Sequence, residues 1–371
     1  MRATDPIPAA PTRPLRRAAL RLSLGLAAAG ASLGGLFPIM AAADPTRHGA
    51  QPRETNARGI APSSAPGTDA LHWRERVMLG FGTTLWLRAA HSDASRLDRA
   101  LDAAVAELRD IEASLSLFDP QSALSRLNRS GELPRPDAHL RSVLASALDM
   151  ARASDGAFDP TVQPLWACWA EASRERRMPT QASLKRACAQ VGWRGVRLSE
   201  SAIRYEQPGM AMTLNGIAQG YAADRVAMIL RAHGIEQALI DTGEWATRGS
   251  APEHEGWRLG VENPFAPEHL LCSVQIPPGR CAAASSFTHQ RFSADGRQHH
   301  ILDPRTGHSP PAVAAVAVVA DSARLADALT KVMFMAGPHA ALRVAAHWRV
   351  QVFLLDTLGR RHVSGGMRLI G

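Results

Sequence analysis

The sequence predicts an α+β domain. Three observations point there: helical segments with one apolar face, Val- and Ala-rich runs that fit buried strands, and an irregular order of the two that does not suit a repeated strand-helix-strand winding. Leu97, Leu101, Val105, Leu108, Ile111 and Leu115 recur at three and four residues and mark one long helix facing the core. A second helix is expected over Ala138 to Ala153, with Leu140, Leu144, Ala147 and Leu148 turned inward. A third begins around Gly216 and closes at Gly234, where glycine can take the left-handed conformation of a helix end. Ala238-Leu239-Ile240 follows as a buried strand, Ala312 to Ala320 as another, and Ser322 to Ala336 as a further helix.

The 371-residue chain is 46% apolar and 20% charged, enough to bury a substantial core. One folded domain is expected over 71–371, starting near Leu71. Residues 44–70 are Pro, Gly, Ser, Thr and charge with almost no large apolar side chain, and read as a flexible tether. Residues 1–43 read as an export signal: Arg13, Arg16 and Arg17 precede an uncharged stretch from Leu22 to Ala43 that ends in Ala41-Ala42-Ala43. The Arg16-Arg17 pair and the mild hydrophobicity favour the twin-arginine route and a periplasmic location. An uncleaved anchor is the alternative, since the stretch is long enough to span a bilayer. The first cysteine is Cys168, so no lipid-attachment cysteine follows the apolar stretch and a lipoprotein is not expected.

The formal charge of +8 comes from arginines scattered along the chain, which argues against a nucleic-acid partner and suits a polyanionic dinucleotide. Cys168, Cys188, Cys272 and Cys281 have no C-x-x-C spacing, against zinc and against a redox dithiol. Cys272 and Cys281 are the nearest pair for a disulfide; otherwise the four read as small buried hydrophobes.

Four segments put polar or glycine residues where a core would take apolar ones. Leu115 to Asn128 is serine-rich and broken by Asp119-Pro120; alone it reads as a capped turn into a short helix. Asp155-Gly156-Ala157-Phe158-Asp159-Pro160-Thr161 is a loop with backbone donors to spare for phosphate or a flavin edge. Thr213-Leu214-Asn215-Gly216-Ile217-Ala218-Gln219-Gly220-Tyr221 places glycines at a strand-to-helix turn, where backbone can approach a phosphate, yet has neither dinucleotide-fold nor P-loop spacing. His299-His300-Ile301-Leu302-Asp303-Pro304-Arg305-Thr306-Gly307 concentrates charge that must be exposed or meet a charged ligand; a phosphate with a divalent cation would satisfy it.

In this order the segments resemble the ApbE family of flavin transferases. The hallmarks are S-x-L-S-x-x-N, G-x-F-D-P-T, G-I-A-x-G-Y-x-x-D, H-I-x-D-P-x-T-G and a late A-D-A-L helix, and the likeness runs from about Leu71 to Gly337. The Asn-Gly-Ile-Ala-Gln-Gly-Tyr form is similar to accessory proteins of periplasmic nitrous-oxide reduction. The resemblance implies a single catalytic domain of mixed sheets and helices with an FAD site between two subdomains. It implies Mg2+-dependent transfer of FMN from FAD to a Thr or Ser hydroxyl of another protein, with AMP leaving. The acceptor it suggests is the periplasmic flavin-accepting domain of a membrane electron-transfer protein. Hydrolysis of FAD to FMN and AMP, or delivery of uncut FAD, are the alternatives.

Carried over by residue, the resemblance assigns Gly216, through its carbonyl, and Asp327 to the metal, and Phe81, Phe118, Ala157, Phe158, Asp159, Thr213, Gln219 and His300 to the cofactor. His300 is the candidate general base, because imidazole titrates near the operating pH, with Asp303 holding its loop or orienting it, and Arg305 towards phosphate. Thr213 stands where many members have Asp, Gln219 where many have Lys or Glu, and Ala283-Ala284-Ser285-Ser286 replaces A-T-S-G. Lys331 falls at the position of a metal-binding Thr, and a protonated lysine cannot be a ligand: either Thr330, one residue earlier, takes over as the third metal ligand, or the ammonium partly replaces the cation, or the metal is weakly held and activity reduced.

Overall fold

The computed structural model describes residues 71–252, 255–266 and 268–370; the expected signal and tether lie outside them. The strands and helices in chain order are β1 (His72–Gly80), β2 (Thr83–His91), α1 (Ala94–Leu115), α2 (Ala123–Ser130), β3 (Glu132–Pro134), α3 (Ala138–Ala153), α4 (Gln163–Arg174), α5 (Gln181–Ala189), β4 (Val196–Leu198), β5 (Ala202–Tyr205), α6 (Ala218–Ala232), β6 (Gln237–Asp241), β7 (Trp245–Arg248), β8 (Trp257–Glu262), β9 (Leu270–Ile276), β10 (Cys281–Ser286), β11 (Val313–Ala320), α7 (Ala323–Trp348), β12 (Gln351–Asp356), β13 (Arg361–Val363) and β14 (Leu369–Ile370). The helices expected around Leu97 to Leu115, over Ala138 to Ala153, from the Gly216 turn to Gly234 and after Ser322 are all present, as are the two expected strands. The fold is α+β.

An eight-stranded sheet ordered β1-β2-β6-β7-β10-β11-β12-β13 forms the centre, every neighbouring pair antiparallel. Helices α1, α6 and α7 cover one face, burying Leu97, Leu101, Leu108 and Ile111 of α1 with Val226 and Leu230 of α6 and Leu329 and Met333 of α7. The other face packs on the small sheet β14-β9-β8 through Trp257, Leu259, Val274 and Ile276. β11 is buried along its whole length because it is covered on both sides, which is why it reads as an unbroken Val and Ala run. A third sheet, β3-β5-β4, packs beside α3. All four cysteines are free thiols. Cys281 belongs to the core under the helices and Cys272 to the core on the opposite face of the large sheet, so the two cannot pair.

Two hallmark residues build the scaffold of the site. Asn128 donates from Nδ2 to the Met212 carbonyl at 2.8 Å and accepts from the Met212 amide at 2.9 Å and from the Tyr205 hydroxyl at 2.6 Å, which fixes the chain just before the Gly216 turn. Asp224 of α6 accepts from Ser322 Oγ at 2.7 Å and from the amides of Ala323 at 2.8 Å and Arg324 at 3.2 Å. It thereby caps the N-terminus of α7, where unpaired amides and the helix dipole favour a carboxylate. The same contact locks α6 against α7, and Gly220 is packed directly on the start of α7.

A Cβ built on Gly220 would lie 2.3 Å from the Ala323 carbonyl oxygen and 2.7 Å from Arg324 Cα, both backbone atoms that cannot swing away. Gly220→Ala is therefore expected to destabilise the fold by about 2 kcal/mol, the usual cost of overpacking. Urea unfolding of the variant checks this, and a midpoint equal to that of the wild type would contradict the packing.

Candidate active site

The Gly216 turn and helix α7 meet at one side chain, Lys331, whose charge is also felt at His289 and His300. The helical spacing of four residues puts Lys331 over Asp327, and its Nζ lies 2.5 Å from Asp327 Oδ1 and 3.2 Å from the Asp327 carbonyl oxygen. A Cβ built on Gly216 would meet Lys331 Cε and Phe158 Cε2, each at 3.3 Å, so any larger residue would press on both side chains by a few tenths of an ångström. Asp327 is fully buried, while the Lys331 side chain is 21% exposed. The amide of Gly220 donates to Asp327 Oδ2 at 3.2 Å, so each carboxylate oxygen has a partner.

Glu244, at the start of the turn into β7, is the acidic residue that sequence reasoning missed. It is buried, accepts from the Ala284 amide at 3.0 Å, and is pushed well above the usual carboxylate range by burial and then by the negative charge of Asp327, against the pull of Lys331. An acidic residue between Gly243 and Trp245 looks like an ordinary surface turn; the one clue was its place directly after a buried strand. Gln219 packs on that turn: a Cβ built on Gly243, which has φ 94°, would lie 2.4 Å from Gln219 Nε2, and Thr242 Oγ1 donates to the Gln219 carbonyl at 2.8 Å.

His300 is half-buried beside His289 and His299, and its shielded Nδ1 has no hydrogen-bond partner among the described residues. Burial holds its pKa down at about 3, helped by the charges of His289, His299 and Lys331. His299 is held down at about 4, chiefly by burial, and His289 is lowered for the same reason. In place of an imidazole titrating near neutral pH, His300 is held in its neutral form there, and the Asp303 carboxylate has no hydrogen bond to it among the described residues. Asp303 instead forms a paired contact with Arg305, with Nε on Oδ1 and Nη2 on Oδ2, both at 2.9 Å, and its carbonyl closes the turn by accepting from Gly307. Asp303 thus holds the loop.

Other expected residues fall in different places. Phe158 is buried against Gly216. The Thr213 amide donates to the Pro160 carbonyl at 2.8 Å, tying the Phe158 loop to the glycine turn. Asp159, expected to face the cofactor, is instead a staple: Oδ1 accepts from the Thr161 amide and hydroxyl and Oδ2 from the Trp193 amide. Thr330 is fully buried, with Oγ1 2.7 Å from the Asp327 carbonyl oxygen and 2.8 Å from Ser285 Oγ, so it is not offered as a metal ligand. Phe81 sits in the β1–β2 turn at φ 51° and Phe118 on a turn where it is 71% exposed; neither forms a hydrogen bond or ring contact with the Lys331 cluster. Ala157 and Arg305 line an open cleft of about 470 Å³ with Met335, Arg343, His347 and Trp348, which does not include Gly216, His300 or Asp327.

This set does not fit a divalent cation. Mg2+ takes near-octahedral oxygen ligands, yet Asp327 is already engaged on both oxygens, Thr330 is turned into the core, and Lys331 presents an ammonium with no lone pair.

The site of this α+β domain thus sets a glycine turn and a capped helix beside one fixed positive charge. The chain belongs to the ApbE family, whose model matches residues 81–354. It is 30% identical over 287 residues to the FAD:protein FMN transferase of Treponema pallidum, covering 71% of this chain and 78% of that one. It is 26% identical over 307 residues to the FAD:protein FMN transferase of Salmonella typhimurium, covering 80% and 87%. Among solved structures, the ApbE protein of Thermotoga maritima superposes with a TM-score of 0.71 at 25% identity, covering 79% of this chain and 97% of that one.

The histidine cluster sets a pH dependence. Each imidazole has a folded pKa below its unfolded value of about 6.5, so the unfolded chain binds protons that the folded one refuses. Stability is therefore full above pH 6.5 and lost as the pH falls towards about 4 for His299 and about 3 for His300. By pH 5 each of these two buried rings should have cost on the order of 1–2 kcal/mol relative to pH 7. Urea unfolding at pH 7 and pH 5 measures it, with His300→Asn reducing the slope; equal stability at both would contradict the burial.

Proposed function

We propose that this chain is an FAD:protein FMN transferase that acts on a Ser or Thr hydroxyl of an exported flavoprotein and releases AMP. The observation that supports the reading is the meeting of the Gly216 turn and the Asp327 helix at one ammonium, whose charge reaches His300. A hydroxyl is a poor nucleophile and a pyrophosphate repels it, so the reaction needs positive charge, alignment and a proton acceptor. Lys331 supplies the charge, and Gly216 lets the ligand come close to the backbone. Phe158, against Gly216, gives an apolar wall for a flat ring.

In the transfer the acceptor oxygen forms a bond to the phosphorus on the FMN side, while the bond from that phosphorus to the bridging oxygen breaks. AMP leaves with the bridging oxygen and its electron pair. The hydroxyl proton needs an acceptor, and His300, neutral at operating pH with Nδ1 unpartnered, has the right protonation state. A pyrophosphate beside it would raise its proton affinity towards the useful range. Magnesium, which the resemblance brings with the activity, finds no free oxygen set while Lys331 pairs with Asp327, so no step here runs through it. The apolar leader and its basic flank support export and a periplasmic acceptor, such as the flavin-accepting domain of a membrane electron-transfer protein.

Incubating the purified protein with FAD and such an acceptor domain tests the reading. Flavin fluorescence that stays with the acceptor in a denaturing gel is the expected result; free FMN and AMP would mean hydrolysis, and uncut FAD would mean carriage. His300→Asn should slow transfer by about a hundredfold or more while leaving FAD binding nearly intact, in line with the loss of a general base. Transfer at the wild-type rate would remove His300 from the chemistry.

A further inference from the structure

We propose that Lys331 is the resident cation of the phosphate site, so that this chain binds the pyrophosphate of FAD with a covalently held ammonium in place of a divalent ion. The inference rests on the transferase reading for its ligand and on geometry for its mechanism. An ammonium has three N–H donors. Two are directed at Asp327, one to the carboxylate and one to the carbonyl oxygen, and the third has no partner among the described residues. The Lys331 side chain is 21% exposed while Asp327 behind it is fully buried, so an incoming ligand meets the positive charge and not the carboxylate. An anion is attracted there and a hydrated divalent cation is repelled.

The surroundings hold the ammonium at that spot. The carboxylate of Asp327, itself fixed by the Gly220 amide, anchors the charge from below. Gly216 and Phe158 bracket the aliphatic stem, Gly216 by lacking a side chain that would displace it. Glu244 and His300 lie close enough to feel the charge, and burial favours the neutral form of both, so Glu244 is not a full counter-ion to the ammonium and His300 adds no second positive charge. The lysine's charge is placed beside a glycine turn where phosphate oxygens can reach backbone. A point charge with a spare donor suits a phosphate oxygen, as lysines in other phosphate sites do.

FAD affinity in 1 mM EDTA and in 5 mM MgCl2, followed by quenching of flavin fluorescence, tests the proposal on the full chain. The wild type should bind within about twofold in the two buffers, because its cation cannot be chelated. Lys331→Met should weaken FAD by about ten- to a hundredfold in EDTA, the loss expected for one charged hydrogen bond. Lys331→Thr, which uncovers Asp327 and adds an oxygen, should be as weak in EDTA and recover in MgCl2. A wild type that loses more than tenfold on chelation overturns the proposal, with no appeal to any variant, and leaves the transferase reading standing. Tight, EDTA-insensitive binding without transfer to an acceptor supports the resident cation and defeats the transferase reading alone. Failure to bind FAD in both buffers overturns the two together.

Discussion

A carboxylate with no exposure to solvent has to be neutralised, and the site is arranged around that requirement. An unpaired charge at the position of Asp327 would cost several kcal/mol, and a buried pair broken on one side costs about as much. Lys331 four residues on and the Gly220 amide meet the need from two directions. Both depend on how α6 meets α7, which Asp224 fixes by capping α7 from α6. Gly220 permits that contact, and Gly216 leaves the space that the lysine stem then occupies.

The arrangement has a consequence for catalysis. In a phosphoryl transfer the protein contributes position and charge more than covalent chemistry. A lysine tied to a buried aspartate is already oriented before the ligand arrives, so little reorganisation is needed. A monovalent ammonium carries less charge than a divalent ion and cannot join ligand oxygens through inner-sphere bonds. In the proposed transfer the remaining work would fall on the backbone of the glycine turn and on the neutral His300, in a site where burial strengthens dipoles.

The fold was legible wherever one face of an element is buried and the other wet. The α1 leucines at three and four residues and the Val and Ala run of β11 declare their burial directly. The β1–β2 hairpin was not read, because β1 lies at the edge of the sheet and carries Arg74, Glu75 and Arg76 among its apolar residues. β8 and β9 were missed for a related reason: each is buried on one side only, and a glycine interrupts β8. Within the site, glycines and hallmark spacing pointed to Gly216, Phe158, Asp327 and His300. They could not separate side chains that touch a ligand from those that hold the loop, since Asp159 and Asp303 spend their oxygens on neighbours brought close only by folding. Glu244 gave little signal beyond its place after a buried strand, because burial of an acid between Gly243 and Trp245 is a property of the packed turn. The departure at Lys331 was visible as a residue type; that its ammonium sits on Asp327 needed the coordinates.

A crystal structure of the FAD complex grown with manganese in the drop tests the central claim most directly. The account predicts Lys331 Nζ within about 3 Å of a pyrophosphate oxygen while still on Asp327, with no anomalous peak between them. A manganese ion bound to Asp327 and the Gly216 carbonyl, with the lysine swung out to solvent, would contradict it.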